Sequence, residues 1–136
     1  MDLDLNDKVA IVTGASRGLG KASAFALAGE GCRVVLCARG KEDLEETVKE
    51  AAEQEYKVVG VVADVSIPDD VERLVNDSVK QFGRLDILVN SVGGRVRGDS
   101  DEDWLEAFNL TFLTAARCTR LAVPHMKENG GSVVHI

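Results

Sequence analysis

Short apolar runs alternate with helical stretches along this chain, and this alternation constrains its fold more than any other feature. The apolar runs read KVAIVT from Lys8, CRVVLCA from Cys32, KVVGVVADV from Lys57, LDILVN from Leu85 and SVVHI from Ser132. Because both faces of these runs are apolar, the strands they predict need helices on both sides. The sequence therefore predicts an α/β fold, a doubly wound parallel sheet in three α/β/α layers with right-handed crossovers.

The residues between the apolar runs carry helical periodicity. Helices are predicted from Gly18 to Gly29, from Lys41 to Gln54, from the Ser66 region to Phe82, and from Asp101 to Lys127. Ser66 and Asp69, on either side of Pro68, predict a capping box at the start of the third helix. The last helix is apolar on more than one face, so we expect another surface to cover it. No linker or repeat interrupts this order, so residues 1–136 are expected to form one domain.

Charge and composition argue against several classes of partner. The 136 residues include 16 basic and 23 acidic side chains, and the net charge of −7 disfavours binding to nucleic-acid phosphates. No apolar run reaches the roughly 18 residues of a membrane span, and the acidic start MDLDLNDK is unlike a signal peptide. We therefore expect a cytoplasmic protein with neither nucleic acid nor membrane as a partner.

The other potentially reactive side chains have ordinary structural interpretations. Cys32, Cys37 and Cys118 are odd in number and lack metal-ligand spacing, so we expect reduced core thiols and no metal site. The acidic residues between positions 99 and 103 resemble the charged start of a helix more than a metal site. His125 follows Pro124 near a helix end and is expected at the surface or in a cap.

Three glycines follow the first predicted strand in the segment TGASRGLG, residues 13–20. In a doubly wound sheet this loop leads into a helix whose unpaired N–H groups and positive dipole end form an anion site. Gly14 would permit the tight turn, Gly18 would let the backbone approach a pyrophosphate, and Gly20 would let the helix pack closely on the sheet. Thr13 and Ser16 add hydroxyl groups. The order of strand, glycine loop and helix therefore predicts a Rossmann-type dinucleotide site.

Five segments together resemble the classical short-chain dehydrogenase/reductase family. The glycine spacing G-x-x-x-G-x-G after a Thr is similar to that family's fingerprint, and Asp64-Val65 ends a strand where the family holds adenine. Asn90 to Gly93 is similar to the family's N-N-A-G, with Ser91 and Val92 as departures. Residues 104–110 resemble the helical stretch with the family's catalytic Asn, and residues 131–136 resemble the strand that leads to its catalytic Ser.

The resemblance implies a set of site residues. Those expected to bind the cofactor are Gly14, Ser16, Arg17, Gly18, Leu19, Gly20, Arg39, Asp64, Val65, Asn90, Val92 and Gly93. Asn109 is implied as a catalytic residue that holds a water in a proton relay. Structural alternatives stay open: a strand-end turn for Asp64, a cap or turn for Asn90, and a solvated or interhelical side chain for Asn109.

Residues after the second strand bear on the choice of nicotinamide cofactor. An acidic residue at this place binds the ribose 2′-OH of NAD, whereas an Arg accommodates the 2′-phosphate of NADP. The segment VVLCARGKED has no acidic residue at Cys37 or Ala38, and Arg39 follows directly. With Arg17 in the glycine loop, two guanidinium groups suit a phosphate dianion. The sequence favours NADP(H) as the cofactor, with NAD(H) as the alternative. If Arg17 and Arg39 do not bind a phosphate, they are ordinary solvated surface residues.

The implied reaction is a hydride transfer between the nicotinamide and a small alcohol or carbonyl substrate. A 3-oxoacyl thioester and a sugar or simple alcohol are the substrate classes we expect, and Arg95 and Arg97 either meet an acidic substrate or lie in solvent. Family members commonly form dimers or tetramers through the fifth helix, so a homo-oligomer is expected of the full-length form.

The family's catalytic Ser and its Y-x-x-x-K pair have no counterpart in this segment. The only Tyr is Tyr56, which precedes the third strand. We therefore expect the 136 residues to bind cofactor without catalysing alone, as the portion of a longer chain truncated after the fifth strand. The exposed apolar edge that SVVHI would leave supports this expectation. A non-catalytic nucleotide-binding module, or a fragment completed by a partner chain, are the alternatives.

Overall fold

The computed structural model describes all 136 residues and contains five strands and five α-helices. The strands are β1 (Val9–Val12), β2 (Arg33–Ala38), β3 (Val58–Val62), β4 (Ile87–Asn90) and β5 (Ser132–His135). The helices are α1 (Gly18–Gly29), α2 (Lys41–Glu53), α3 (Pro68–Phe82), α4 (Asp101–Phe108) and α5 (Thr114–Ala122). A π-helical turn (Asn109–Leu113) joins α4 to α5, and a 3₁₀ turn (Val123–Met126) follows α5. No helix has both the length and the apolarity that crossing a membrane requires.

The strands form one parallel sheet in the order β3-β2-β1-β4-β5. Val12 of β1 pairs with Leu36 on one side and with Val89 on the other. Strands β2 and β3 therefore follow one another on one side of β1, and β4 and β5 follow one another on its other side. The predicted doubly wound Rossmann-type sheet is confirmed, with its topological switch point between β1 and β4.

Alternate residues of each strand enter two separate cores, one on each face of the sheet. Ile11 and Leu88 face a cluster that α3 and α5 complete with Leu74 and Cys118, among others. The opposite cluster joins Val12 and Leu36 to residues of α1 and α2, including Ala24 and Leu44. Helices on both faces explain why β1 is apolar throughout and wholly buried. All three cysteines are free and buried within these cores.

The predicted capping box at Ser66 and Asp69 is wrong. Ile67 is the N-cap of α3 and makes no side-chain cap, because the Ser66 hydroxyl donates to the Asp64 carboxylate at 2.6 Å. A capping box instead starts α4, where Ser100 and Asp103 bind each other's backbone N–H groups. Both sites have the right residue types, so only the local hydrogen-bond competition separates them.

The single helix predicted from Asp101 to Lys127 is interrupted twice. The Thr114 N–H binds the Asn109 carbonyl, five residues back, and so creates the π-helical turn. The Thr114 hydroxyl donates at 2.7 Å to the Leu110 carbonyl, the group that its N–H would bind in a regular α-helix. The 3₁₀ turn that contains Pro124 ends the helical region.

Candidate functional site

A cavity of about 780 Å³ opens at the carboxyl end of the sheet, beside the switch point between β1 and β4. Ten of the twelve predicted cofactor-binding residues line it: Gly14, Ser16, Arg17, Leu19, Gly20, Arg39, Asp64, Val65, Val92 and Gly93. They come from the ends of four different strands and from the start of α1. A crevice at this edge is where open α/β sheets bind their ligands.

Two glycines in the loop after β1 have left-handed backbone conformations, with φ near +60° at Gly14 and at Gly18. A Cβ on Gly14 would lie 2.5 Å from the Ser91 carbonyl oxygen, so this turn has no room for a side chain. A Cβ on Gly20 would overlap the Gly14 carbonyl oxygen. At Gly18 a Cβ would meet nothing within 4 Å, so the space beside this residue is open. The geometry assigns Gly14 and Gly20 to close packing, whereas the space beside Gly18 is open.

Helix α1 begins at this loop without a side-chain cap. Arg17 is its N-cap residue, in an extended conformation, and no side chain accepts a hydrogen bond from the first turn. Main-chain N–H groups of a first helical turn lack partners inside the helix, and they lie at its positive dipole end. An anion in the cavity would therefore meet free donors at the start of α1.

Thr13 fixes the glycine loop to the end of β4. Its hydroxyl donates to the Val89 carbonyl at 3.4 Å and accepts from the Ser91 N–H at 3.1 Å. Thr13 is buried, so its hydroxyl is committed to the protein. The Thr13 hydroxyl therefore has a structural role and does not donate to a ligand as expected. Ser16, the other hydroxyl residue of the loop, lines the cavity.

The ends of β2 and β3 bring charges of both signs to one side of the cavity. Hydrogen bonds from the Ser66 hydroxyl and N–H lower the pKa of Asp64, and the nearby positive charge of Arg39 acts in the same direction. Asp64 is thus a fixed carboxylate at neutral pH and a ready hydrogen-bond acceptor. Arg17 and Arg39 are exposed at the cavity rim and form no salt bridge.

Asn90, Asn109 and Gly18 are predicted site residues that do not line the cavity. The buried Asn90 amide donates toward the Thr119 hydroxyl at 3.4 Å and lies 3.2 Å from the His135 ring nitrogen Nδ1. Its Oδ1 atom is buried with no partner. Asn109 starts the π-helical turn, and its neighbour Leu110 reaches the cavity wall in its place.

The cavity also has wall residues that the sequence analysis did not select. They are Cys37, Ala38, Gly40, Asp43, Ala63, Ser66, Ser91, Leu110 and Ile136. Ala38 ends a strand, and Ala63, Ser91 and Ile136 directly follow one, so the carboxyl end of each strand is the signal that could find these four. Burial raises the pKa of the Cys37 thiol to about 12, so this wall residue is an inert thiol at neutral pH.

No group of three or more His, Cys, Asp or Glu side chains in the chain is placed to hold a metal ion. The residues that line the cavity instead carry hydroxyls, two guanidinium groups and carboxylates, beside the uncapped start of α1. This donor set suits an organic anion with hydroxyl groups better than a bare cation.

The short chain dehydrogenase family matches residues 8–136, and this chain belongs to it. The 3-oxoacyl-[acyl-carrier-protein] reductase of Thermotoga maritima is 34% identical, over 97% of this chain and 56% of its own length. Actinorhodin polyketide ketoreductase with NADPH superposes with a TM-score of 0.87 at 34% identity, covering 95% of this chain and 52% of its own. A 7α-hydroxysteroid dehydrogenase complexed with NADH gives a TM-score of 0.91 at 27% identity, covering 97% and 53%. The chain spans about half the length of the relatives it matches.

Proposed function

We propose that this chain is the cofactor-binding part of an NADP(H)-dependent oxidoreductase that interconverts an alcohol and a carbonyl compound. The observation that carries the proposal is the cavity at the switch point, with an uncapped helix start and two unpaired arginines at its rim. When bound there, the nicotinamide would supply the hydride donor or acceptor.

The residues present fit a dinucleotide. The open space at Gly18 and the free donors at the start of α1 would receive the pyrophosphate. The Asp64 carboxylate, held by Ser66, would accept a hydrogen bond from the adenine. Val92 and Gly93 would contact the other half of the molecule, on the β4 side of the switch point.

The preference for NADP(H) over NAD(H) rests on Arg17 and Arg39. Both are free of salt bridges at the rim, and no carboxylate occupies the end of β2, where Cys37 and Ala38 are buried. A 2′-phosphate between two guanidinium groups would gain charge-assisted hydrogen bonds. The structures that resemble this chain include one with NADPH and one with NADH, so the fold alone does not choose between the cofactors.

We further propose a cytoplasmic, homo-oligomeric enzyme in which Asn109 holds a water for the proton relay. The similarity to a 3-oxoacyl-[acyl-carrier-protein] reductase and a polyketide ketoreductase supports a 3-oxoacyl thioester as substrate, beside a sugar or simple alcohol. Asn90 is buried, so it would affect cofactor binding indirectly, by shaping the end of β4.

The proposal is tested first by the cofactor affinity of Arg39→Asp. Replacing a guanidinium with a carboxylate removes a phosphate ligand and adds repulsion, so we expect NADPH to bind at least tenfold more weakly, about 1.4 kcal/mol or more. NADH affinity should hold or rise, because the new carboxylate can bind a ribose 2′-OH. Isothermal titration calorimetry with both cofactors measures the change.

Arg120→Asp is the matched control, since Arg120 is exposed on α5 and does not line the cavity. It makes the same charge change and should leave the NADPH to NADH ratio unchanged. If the ratio of NADPH affinity to NADH affinity were the same in Arg39→Asp as in the control, the assignment of NADP(H) would be wrong. Failure of the unchanged chain to bind either cofactor would remove the proposed function itself.

A further inference from the structure

One side chain, that of Thr111, ties the loop after β4 to the helical region. The Thr111 hydroxyl accepts a hydrogen bond from the Gly94 N–H at 3.0 Å and donates one to the Gly94 carbonyl at 3.1 Å. Residues 92–99 make no other hydrogen bond to the rest of the chain. A single hydroxyl thus holds both main-chain groups of one loop residue.

Close packing reinforces this hydrogen-bonded pair. A Cβ on Gly94 would lie 2.9 Å from Leu110 Cδ1 and 3.0 Å from Leu110 Cβ, so a side chain on residue 94 would require Leu110 to shift. Leu110 and Gly93, the residues next to Thr111 and Gly94, both line the cavity. The contact between Thr111 and Gly94 therefore lies directly beside two residues of one cavity wall.

The π-helical turn is what presents Thr111 to the loop. Thr111 lies in the middle of the turn, whose ends are fixed by the bond from the Thr114 N–H to the Asn109 carbonyl. π-helical turns within α-helices occur frequently at functional sites. Asn109 makes no side-chain hydrogen bond and does not line the cavity, so Thr111 is the polar side chain of this turn that contacts the site loop.

We propose that Thr111 is a positioning residue for the half of the cofactor on the β4 and β5 side of the switch point. The inference rests on the proposed function, in which the dinucleotide lies across the switch point. Arg39 and Asp64 would then contact the adenosine half, far along the sheet from this loop. Thr111 acts through Gly94 and Leu110 on the nicotinamide half alone.

The test uses Thr111→Val, which removes the hydroxyl at nearly constant volume, and Thr111→Ser, which keeps it. NADPH and adenosine 2′,5′-bisphosphate, which carries only the adenosine half, are each titrated into the purified chain. Thr111→Val should bind NADPH about fivefold more weakly, the effect of about one net hydrogen bond, with unchanged affinity for the bisphosphate. Thr111→Ser should restore NADPH affinity.

Limited digestion with trypsin gives a second readout, because Arg95 and Arg97 lie exposed in the loop that Thr111 holds. Cleavage of a folded protein follows the population of the opened segment when opening is fast. Fragments ending at these arginines should form about fivefold faster in Thr111→Val than in the unchanged chain or in Thr111→Ser.

Unchanged NADPH affinity in Thr111→Val, or equal weakening of both ligands, would overturn the inference. Weakening that Thr111→Ser does not restore would also overturn it, since the hydroxyl would then be irrelevant. If the unchanged chain binds neither ligand, the proposed function fails and the inference with it. If it binds both and Thr111→Val is unaffected, only the inference fails.

Discussion

At the residue scale, the glycine loop shows which glycines are required for packing and which leave space. Gly20 lies against the Gly14 carbonyl, and a Cβ there would also lie 3.1 Å from the Ser91 hydroxyl. A Cβ on Gly29, at the other end of α1, would lie 3.4 Å from the Tyr56 hydroxyl and 3.8 Å from the nearest ring atom, which is ordinary contact. One helix thus contains a crowded glycine and an uncrowded one.

We expect Gly20→Ala to lower the free energy of unfolding by about 2 kcal/mol, because the added methyl group forces α1 away from the sheet. Gly29→Ala is the matched control and should be neutral or stabilising, by up to about 1 kcal/mol from helix propensity. Urea denaturation followed by circular dichroism measures both. Equal stabilities of the two variants would contradict the close packing described at Gly20.

Asp86 is a second residue whose local contacts decide stability, at the amino end of the sheet. Its carboxylate accepts two hydrogen bonds from Arg84, at 2.7 and 2.8 Å, and one from the Val9 N–H at 2.9 Å. Burial alone would raise the pKa of Asp86, but the Arg84 and Val9 hydrogen bonds outweigh it and lower the pKa. The ionised carboxylate therefore joins β1 to the start of β4.

We expect Asp86→Asn to reduce the free energy of unfolding by about 2 kcal/mol at pH 7, since charged hydrogen bonds with Arg84 are lost. A lowered folded-state pKa contributes stability above the unfolded value of about 3.9, and this is lost as pH falls through the folded pKa. The difference between Asp86→Asn and the unchanged chain should therefore shrink below about pH 3.9. Urea denaturation across pH values tests this, and a constant difference would contradict it.

At the element scale, the helical region from α4 to α5 departs furthest from the sequence pattern. Apolar periodicity continues through residues 109–113, so the sequence pattern predicts a regular helix there. The π-helical turn arises where Thr114 binds two carbonyl groups at once, with its N–H and its hydroxyl. Threonine inside a helix is common, so this choice has no distinct sequence signal.

The same region exposes five large apolar side chains. The exposed members are Trp104, Leu105, Phe108, Phe112 and Leu113. The rings of Phe108 and Phe112 stack with centroids 5.2 Å apart. Isolated exposed apolar residues are ordinary, whereas groups of exposed apolar residues are typical of contact surfaces.

At the scale of the whole molecule, we propose that this surface takes part in the homo-oligomer expected of the full-length form. We predict that the chain elutes above its monomer mass of 14.6 kDa, and that Phe112→Glu shifts it toward the monomer by placing a charge in the contact. Size-exclusion chromatography with light scattering measures the mass. Because Phe112 is 59% exposed, the unfolding midpoint of the monomer should hardly change. A chain that is monomeric at every concentration would contradict the prediction.

The parallel sheet, its three layers and its glycine loop followed from the sequence because they depend on local information. Apolar runs such as VAIV of β1 require burial on both faces, and strands of this kind must be covered by helices. The loop after β1 needs φ near +60° at Gly14 and Gly18, a conformation that favours glycine. The hydrophobic period, the length of the apolar runs and the residue types were enough to place these strands and this loop to within a few residues.

Only the tertiary structure decided which side chains meet. Asn90 and Thr13 turn inward to bind Thr119, His135 and the β4 backbone, because neighbouring elements offer partners there. Thr111 contacts Gly94, 17 residues earlier, through a turn that the sequence pattern does not encode. Which distant residues form hydrogen bonds depends on the distances between them in the folded chain. The hydrophobic periodicity of the sequence does not contain these distances. The sequence by itself thus determined the family, the sheet and the glycine loop that lines the cavity, while packing determined which polar groups remain without a protein partner at the cavity wall.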